Sequence, residues 1–267
     1  MNHFATINGI NGASGLIYEN GRLLLISDDS FVLYIYSLEN KNLKKINLSE
    51  NQNQEEGIIK SLKSDFESIA TKDNEIHIFG SGSAENRYQH LIIDSDTLKV
   101  KKRKSLKKLY HQMMDSSGIT EDDFNIEGVI LGENKTLFFN RGNGPEKKNG
   151  IFKIGQKTEF IPVELPVTNN VRFGFTDACC FENQIYFTAS AEAGDSTYDD
   201  GEVLGSAIGI INTEDLSLKE FKIITNKHKI EGISVIKKTE DFIEFILCED
   251  ADDDKNETNI FKYTLKN

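Results

Sequence analysis

Short apolar runs alternate with polar turns along nearly the whole chain, and the runs come in groups. Within residues 14–50, the segments 15–19, 22–27, 32–38 and 43–48 read as four successive strands, separated by Asn20-Gly21, Asp28-Asp29-Ser30 and Glu39-Asn40-Lys41. Asn-Gly between apolar runs signals a hairpin, because both residues tolerate the positive φ of a type I′ turn. The scheme returns in residues 67–104, 127–165 and 177–225. The last group, 231–265, holds only three strand-like runs, and residues 3–7 are the natural donor of the fourth. Repeats of about 40 to 50 residues, each with several short strands, are the signature of propeller blades. The pattern therefore predicts an all-β fold: a single five-bladed β-propeller domain over residues 1–267 with four-stranded blades, the N-terminal strand closing the last blade so that no sheet edge is left between the termini.

Two stretches break the period. In residues 105–123, Leu106, Leu109, Tyr110, Met113 and Met114 recur at helical spacing and Ser116-Ser117-Gly118 ends the pattern, which predicts one inserted helix between blades two and three. Residues 190–206 in the fourth repeat read as an unusually long surface loop.

Each repeat opens on one local signature, an acid, a small residue and an aliphatic run: Glu67-Ser68-Ile69, Glu127-Gly128-Val129, Asp177-Ala178-Cys179 and Glu231-Gly232-Ile233, with Ser14-Gly15-Leu16 lacking only the acid. Inner propeller strands begin near the axis on one face, so Glu67, Glu127, Asp177 and Glu231 are expected to converge at the mouth of the central channel. Asp28, Asp29 and residues 81–87, 140–141, 190–201 and 249–254 should lie beside them. Carboxylates about 6 Å apart at an effective dielectric of about 20 repel by roughly 3 kcal/mol per pair, so something must neutralise them. A hard cation such as Ca²⁺, raised pKa values, or the guanidinium groups of Arg87, Arg141 and Arg172 would each do so. The alternative is that each acid caps backbone N–H groups where an inner strand begins.

Composition narrows the classes. With 31 basic against 43 acidic side chains the net charge is -12, which opposes binding to nucleic acid or anionic lipid. Cys179, Cys180 and Cys248 form neither a disulfide framework nor a metal-type spacing and read as buried packing residues. No run reaches the roughly 18 apolar residues of a membrane span, and the N-terminus does not read as a signal peptide, so the expectation is a cytoplasmic protein. Residues 250–254 open like an EF-hand loop, but Lys255 stands where glycine is needed and Phe261 where the bidentate glutamate belongs. Of the five histidines only His228 falls near the predicted mouth.

The segments Asp65-Phe66-Glu67-Ser68-Ile69-Ala70, Phe124-Asn125-Ile126-Glu127-Gly128-Val129 and Ile230-Glu231-Gly232-Ile233 resemble the phytase-like and esterase-like propeller superfamily. The stretch 187–210, with Tyr198-Asp199-Asp200-Gly201-Glu202 and Leu204-Gly205-Ser206, is similar to a bacterial family of domains of unknown function within that group. The resemblance implies a calcium-dependent phosphatase, lactonase or esterase activity, although alkaline phytases have six blades and a basic cluster that this acidic mouth lacks. Two functions are thus expected. One is a divalent-metal hydrolase of a small ester, lactone or phosphoester, with Glu67, Glu127, Asp177 and Glu231 holding Ca²⁺ and Arg87 or Arg141 steadying the developing anion. The other is a non-catalytic scaffold that binds a small molecule or peptide at the central channel face.

Overall fold

The computed structural model describes residues 1–50, 55–193, 201–251 and 255–266. Strand β1 (Asn2–Asn8) is followed by the first blade, β2 to β5 (Gly15–Glu19, Arg22–Ile26, Val32–Ser37, Leu43–Asn47). The second is β6 to β9 (Phe66–Lys72, Glu75–Gly80, Gln89–Asp94, Val100–Ser105), and helix α1 (Lys107–Ser117) separates it from the third, β10 to β13 (Ile126–Leu131, Thr136–Asn140, Gly150–Ile154, Thr158–Pro162). A two-stranded hairpin, β14 and β15 (Val167–Thr168, Val171–Arg172), precedes the fourth blade, β16 to β19 (Gly174–Phe181, Gln184–Ala193, Glu202–Ile211, Leu218–Thr225). The fifth joins β20 to β22 (Ile230–Lys238, Phe242–Glu249, Glu257–Lys266) to β1, in the order β1-β22-β21-β20. The five-bladed, N-terminally closed propeller read from the hydrophobic pattern is the fold.

Local chemistry explains the hairpins. Asn20-Gly21, Asp73-Asn74 and Glu182-Asn183 all carry positive φ at both central positions, the geometry that matches the right-handed twist of paired strands. The core is divided as a ring requires. Buried residues fall into five clusters, each joining two adjacent blades: Leu24 and Ile26 against Phe66 and Ile78, Phe79 against Phe138, Phe139 against Phe175, Tyr186 against Phe245, and Ile246 against Leu16. Every blade is thus apolar on both faces, and its polar residues are left to the outer strand and the axial ends. Helix α1 packs Tyr110, Met113 and Met114 into the cluster between blades two and three, and the Tyr110 hydroxyl donates to the Gly80 carbonyl at 2.8 Å.

Three readings change. Of the expected loop 190–206, residues Ser190, Ala191, Glu192 and Ala193 pair with Ser206, Gly205, Val203 and Glu202, so the strands simply run on past the blade; residues 194–200 lie outside the described set. Cys180 is exposed rather than packed, while Cys248 is buried and Cys179 is partly so. Hairpin β14/β15 was not signalled by any apolar run, being only two residues per strand. Among the described residues no helix is long and apolar enough to cross a membrane.

Candidate functional site: a charged ring at the axial face

The inner strands start with a register irregularity that fixes the site. Glu67 lies between the pairs Phe66↔Gly80 and Ser68↔Phe79, Glu127 between Ile126↔Asn140 and Gly128↔Phe139, and Glu231 between Ile230↔Glu249 and Gly232↔Cys248. Each glutamate is therefore the extra residue of a β-bulge, a device that frees a side chain from the ladder and re-aims it. In blade four the extra residue is Thr176, between Phe175↔Ala189 and Asp177↔Thr188. Alignment on the acid was one residue late there, and Asp177 is corrected accordingly. Its Oδ1 accepts the Ala178 N–H at 2.7 Å and its Oδ2 the Ile233 N–H at 2.9 Å, so it is a buried backbone cap between blades four and five. Burial pushes its carboxyl well above the usual range against the pull of those two N–H groups.

The bulge position thus carries Glu67, Glu127, Thr176 and Glu231, and in blade one, whose inner pair has no bulge, Ser14 stands at the matching place just before β2. The two hydroxyls do the same job in their blades: Ser14 donates to the Phe66 carbonyl at 2.6 Å and Thr176 to the Ile230 carbonyl at 2.7 Å, each tying its blade to the next. Two residues earlier stand Gly12, Asp65, Asn125, Gly174 and Lys229. Where that position holds glycine, a neighbour fills the space: a Cβ on Gly12 would fall 2.0 Å from Asp250 Oδ1, and one on Gly174 would fall 2.8 Å from Arg141 Cγ. Glycine therefore admits Asp250 and Arg141 to the axis.

These residues enclose a cavity of about 40 Å³, lined by the carboxylates Asp28, Asp65, Glu67, Glu127, Glu231 and Asp250 and the cations Lys60, Lys63, Arg87, Arg141 and Lys229. Of the ways of neutralising the acids, arginine pairing is realised by Arg87 and Arg141, joined by Lys63 and Lys229, so most charges are matched in two clusters. In the first, Lys63 bridges Asp28 and Asp65, the latter at 2.8 Å, and Arg87 meets Asp65 at 2.8 Å. Burial alone would depress the Lys63 ammonium, but Asp65, Asp28 and Glu67 together hold its pKa above the ordinary lysine value. In the second, Arg141 contacts Glu192 at 2.9 Å, Glu127 at 3.2 Å and Glu231 at 3.5 Å, while Lys229 reaches Glu231 at 3.1 Å, Glu192 at 3.4 Å and Asp250 at 3.5 Å.

Glu67 belongs to neither cluster. It is about nine-tenths buried and has no hydrogen-bond or ion-pair partner among the described residues. Burial, then the charges of Glu127, Asp65, Asp28 and Glu231, raise its pKa well above the ordinary value. Its carboxyl oxygen lies with oxygens of Asp28 and Asp65 in a triad whose members are all within 4.8 Å of one another. Glu127 is half satisfied: Oε1 accepts from Asn125 at 2.7 Å and from Arg141, whereas buried Oε2 finds no hydrogen-bond partner. Burial, only partly offset by Arg141 and Lys229, lifts its pKa to about 7.

Of the residues expected here, the structure gathers Glu67, Glu127, Glu231, Asp28, Arg87 and Arg141. It sets Arg172 apart, on the hairpin, and turns His228 to Glu249 at 2.6 Å. Lys63, Asp65 and Lys229 were missed; the two-residue spacings Asp65/Glu67 and Lys229/Glu231 place the latter two beside an acid of the ring without giving their direction, and nothing in the sequence marks Lys63.

Over residues 9–265 the chain matches the model of a family described as "Family of unknown function (DUF6929)". It belongs to that family. No curated protein matches it by sequence. Among solved structures, the DUF6929 chain is similar to Myxococcus xanthus glutaminyl cyclase, with 9% identity, 98% of this chain and 96% of that one covered, and a TM-score of 0.52. A Bombyx mori GH32 beta-fructofuranosidase in complex with sucrose shows 11% identity and a TM-score of 0.57 over 99% of this chain and 62% of that one. A streptogramin B lyase matches at 13% identity and a TM-score of 0.48, covering 100% and 99% of the two chains. At such identities the likeness is one of fold.

Proposed function

We propose that the axial cavity is a divalent-cation centre, Ca²⁺ being the first candidate, and that it serves hydrolysis of a small ester, lactone or phosphoester. The observation that carries this reading is Glu67: a nearly buried carboxyl group with no hydrogen bond or ion pair among the described residues, beside two further carboxylates at a spacing that suits oxygen ligation of one ion. The ligand set is Asp28, Asp65 and Glu67. This replaces the ring of four acids, since Glu127 and Glu231 are matched by Arg141 and Lys229 and Asp177 is a cap. The cavity has room for an ion and water but not for a substrate, which must approach from the axial face.

A bound divalent cation supplies Lewis acidity and a more acidic water. The chain's own residues do the rest. Glu127, with a pKa near neutrality and Oε2 unengaged, is suited to take a proton at that atom. Arg141 and Arg87 are buried and held by carboxylates, so their role is to set the charge of the ring rather than to contact substrate. The phytase-like and esterase-like resemblance supports the same reaction class.

One observation favours the second reading, a binding scaffold without metal: the Lys63 ammonium already bridges Asp28 and Asp65, and an ion must move it. Elemental analysis and thermal unfolding with Ca²⁺ or chelator decide between them. The centre predicts one bound ion per chain and a calcium-dependent rise in Tm that Glu67→Gln abolishes. A Tm that ignores both calcium and chelator, with no stoichiometric metal, leaves the scaffold.

A further inference from the structure

Next to the axial cavity runs a groove of about 380 Å³, within the size range of small-molecule sites, whose lining includes Arg141, Asn143, Lys147, Asn170, Arg172 and Glu192. It shares Arg141 and Asn143 with the cavity, so the two adjoin across these side chains. Its outer wall is the β14/β15 hairpin, the one two-stranded sheet among the described residues and a member of no blade. The hairpin turns on Asn169 and Asn170 at φ 46 and 64, pairs Val167 with Arg172, and leaves Val167 53% exposed.

The charge of this groove runs against that of the protein. On a chain of net charge -12, its lining among the described residues holds three cations, Arg141, Lys147 and Arg172, and one carboxylate, Glu192. Glu192 is itself engaged by Arg141 at 2.9 Å and Lys229 at 3.4 Å. Arg172 donates through Nη1 to the Leu165 carbonyl at 3.1 Å and to Glu164, whose side chain is 81% exposed. An ion pair so open to water is worth little and yields readily to a ligand. Among the described residues Asn170 makes no hydrogen bond through its side chain, and the side-chain amide of Asn143 meets only that of Asn125, at 3.5 Å. The groove therefore offers a guanidinium, two side-chain amides and the apolar flanks of Val167 and Val171. A singly charged planar anion fits this set, because a guanidinium fork matches a carboxylate and the nearby Glu192 and Glu164 disfavour a dianion.

We propose that the groove is the subsite of the axial centre that recognises a carboxylate group on a short apolar body, held by Arg172, Asn170 and Asn143. Under the hydrolase reading, the ligand's carboxylate lies against the hairpin while its ester or lactone group reaches the cavity past Arg141. That assignment rests on the cavity being reactive; the anion site itself does not.

The experiment titrates the ¹⁵N-labelled full chain with butyrate, with neutral butyramide and with butyl phosphate, and separately with Ca²⁺. Butyrate should shift the amide signals of Asn143, Asn170 and Arg172, and butyramide should not. Arg172→Gln should weaken butyrate by about tenfold, the loss of one charge-assisted hydrogen bond, with Tm and the calcium response unchanged. Asn170→Gly, which suits the positive φ of the turn and removes the side chain with its amide, should weaken it in the same sense. Signals that move elsewhere or not at all, unaltered affinity in both variants, or tighter binding of butyl phosphate than of butyrate would each overturn the assignment. Because calcium binding is read independently, loss of the ion centre leaves this result standing, and the reverse.

Discussion

Glu127→Gln tests the electrostatics of the ring with the sign worked out in advance. Burial raises the carboxyl of Glu127 from an ordinary value of 4.5 to about 7, so between those values the folded chain holds a proton that the unfolded chain has released. Proton binding by the folded state alone means stability falls as pH rises through this window, by about 1.4 kcal/mol per pH unit at most. The accumulated cost above pH 7 is then about 3 kcal/mol. Glutamine copies the neutral carboxylic acid in shape, keeps an acceptor for Asn125 and Arg141, and places an N–H₂ where Oε2 has no partner. In chelator, the variant should match the parent near pH 4.5 and exceed it progressively, by up to about 3 kcal/mol at pH 8. Urea denaturation at intervals between those limits measures the difference, which cancels other titrating groups such as His90, whose pKa burial lowers to about 3. A difference that stays flat with pH, or a variant weaker than the parent at pH 8, would refute the claim that Glu127 is a desolvated acid.

The remaining predictions concern the cap and the closure. Asp177→Asn leaves one acceptor oxygen for two backbone N–H groups, so it should destabilise by about 1–3 kcal/mol equally in calcium and in chelator; a calcium-dependent effect on Tm would return Asp177 to the ion site. Deleting residues 1–8 removes β1 from β22 and exposes the partners of Ile7, which is 1% exposed, and should lower Tm well beyond the effect of losing a frayed end; an unchanged melting transition would contradict the closure.

The fold was legible because its signals are local and repeated. Asn20-Gly21 and Asp73-Asn74 state their turns in two residues, strand alternation states the blades, and the missing strand of the last repeat points to the N-terminus. The site was legible only in part, since a bulge is a relation between two strands and leaves no residue of its own. In blades two, three and five the acid is the extra residue, so aligning on the acid also aligns the bulges. In blade four the same geometry selects Thr176, a residue with no charge to catch the eye, while the neighbouring acid turns to the backbone. The cations were hidden for a related reason: Lys63 sits on the irregular stretch before β6, and Lys229 just before β20, where neither periodicity nor motif assigns a direction.

The charge excess of the ring follows from the same geometry. Bulges at three blades drive three glutamates toward the axis whether or not a partner is ready for each, and glycine at residues 12 and 174 lets Asp250 and Arg141 follow. Arg141 and Lys229 balance the side of the ring formed by Glu127 and Glu231. On the other side Lys63 and Arg87 pair with Asp28 and Asp65, and Glu67 keeps only the longer-range attraction of Lys63, with no hydrogen bond or ion pair among the described residues. Leaving a buried polar group unsatisfied costs about 1–3 kcal/mol, and more for a charged one, so a propeller that needed only structural closure would gain by carrying serine or threonine there, as blades one and four do. That a glutamate stands at this position instead, beside the half-satisfied Glu127 of the next blade, is the physical reason to look for a ligand at this point of the ring before any other.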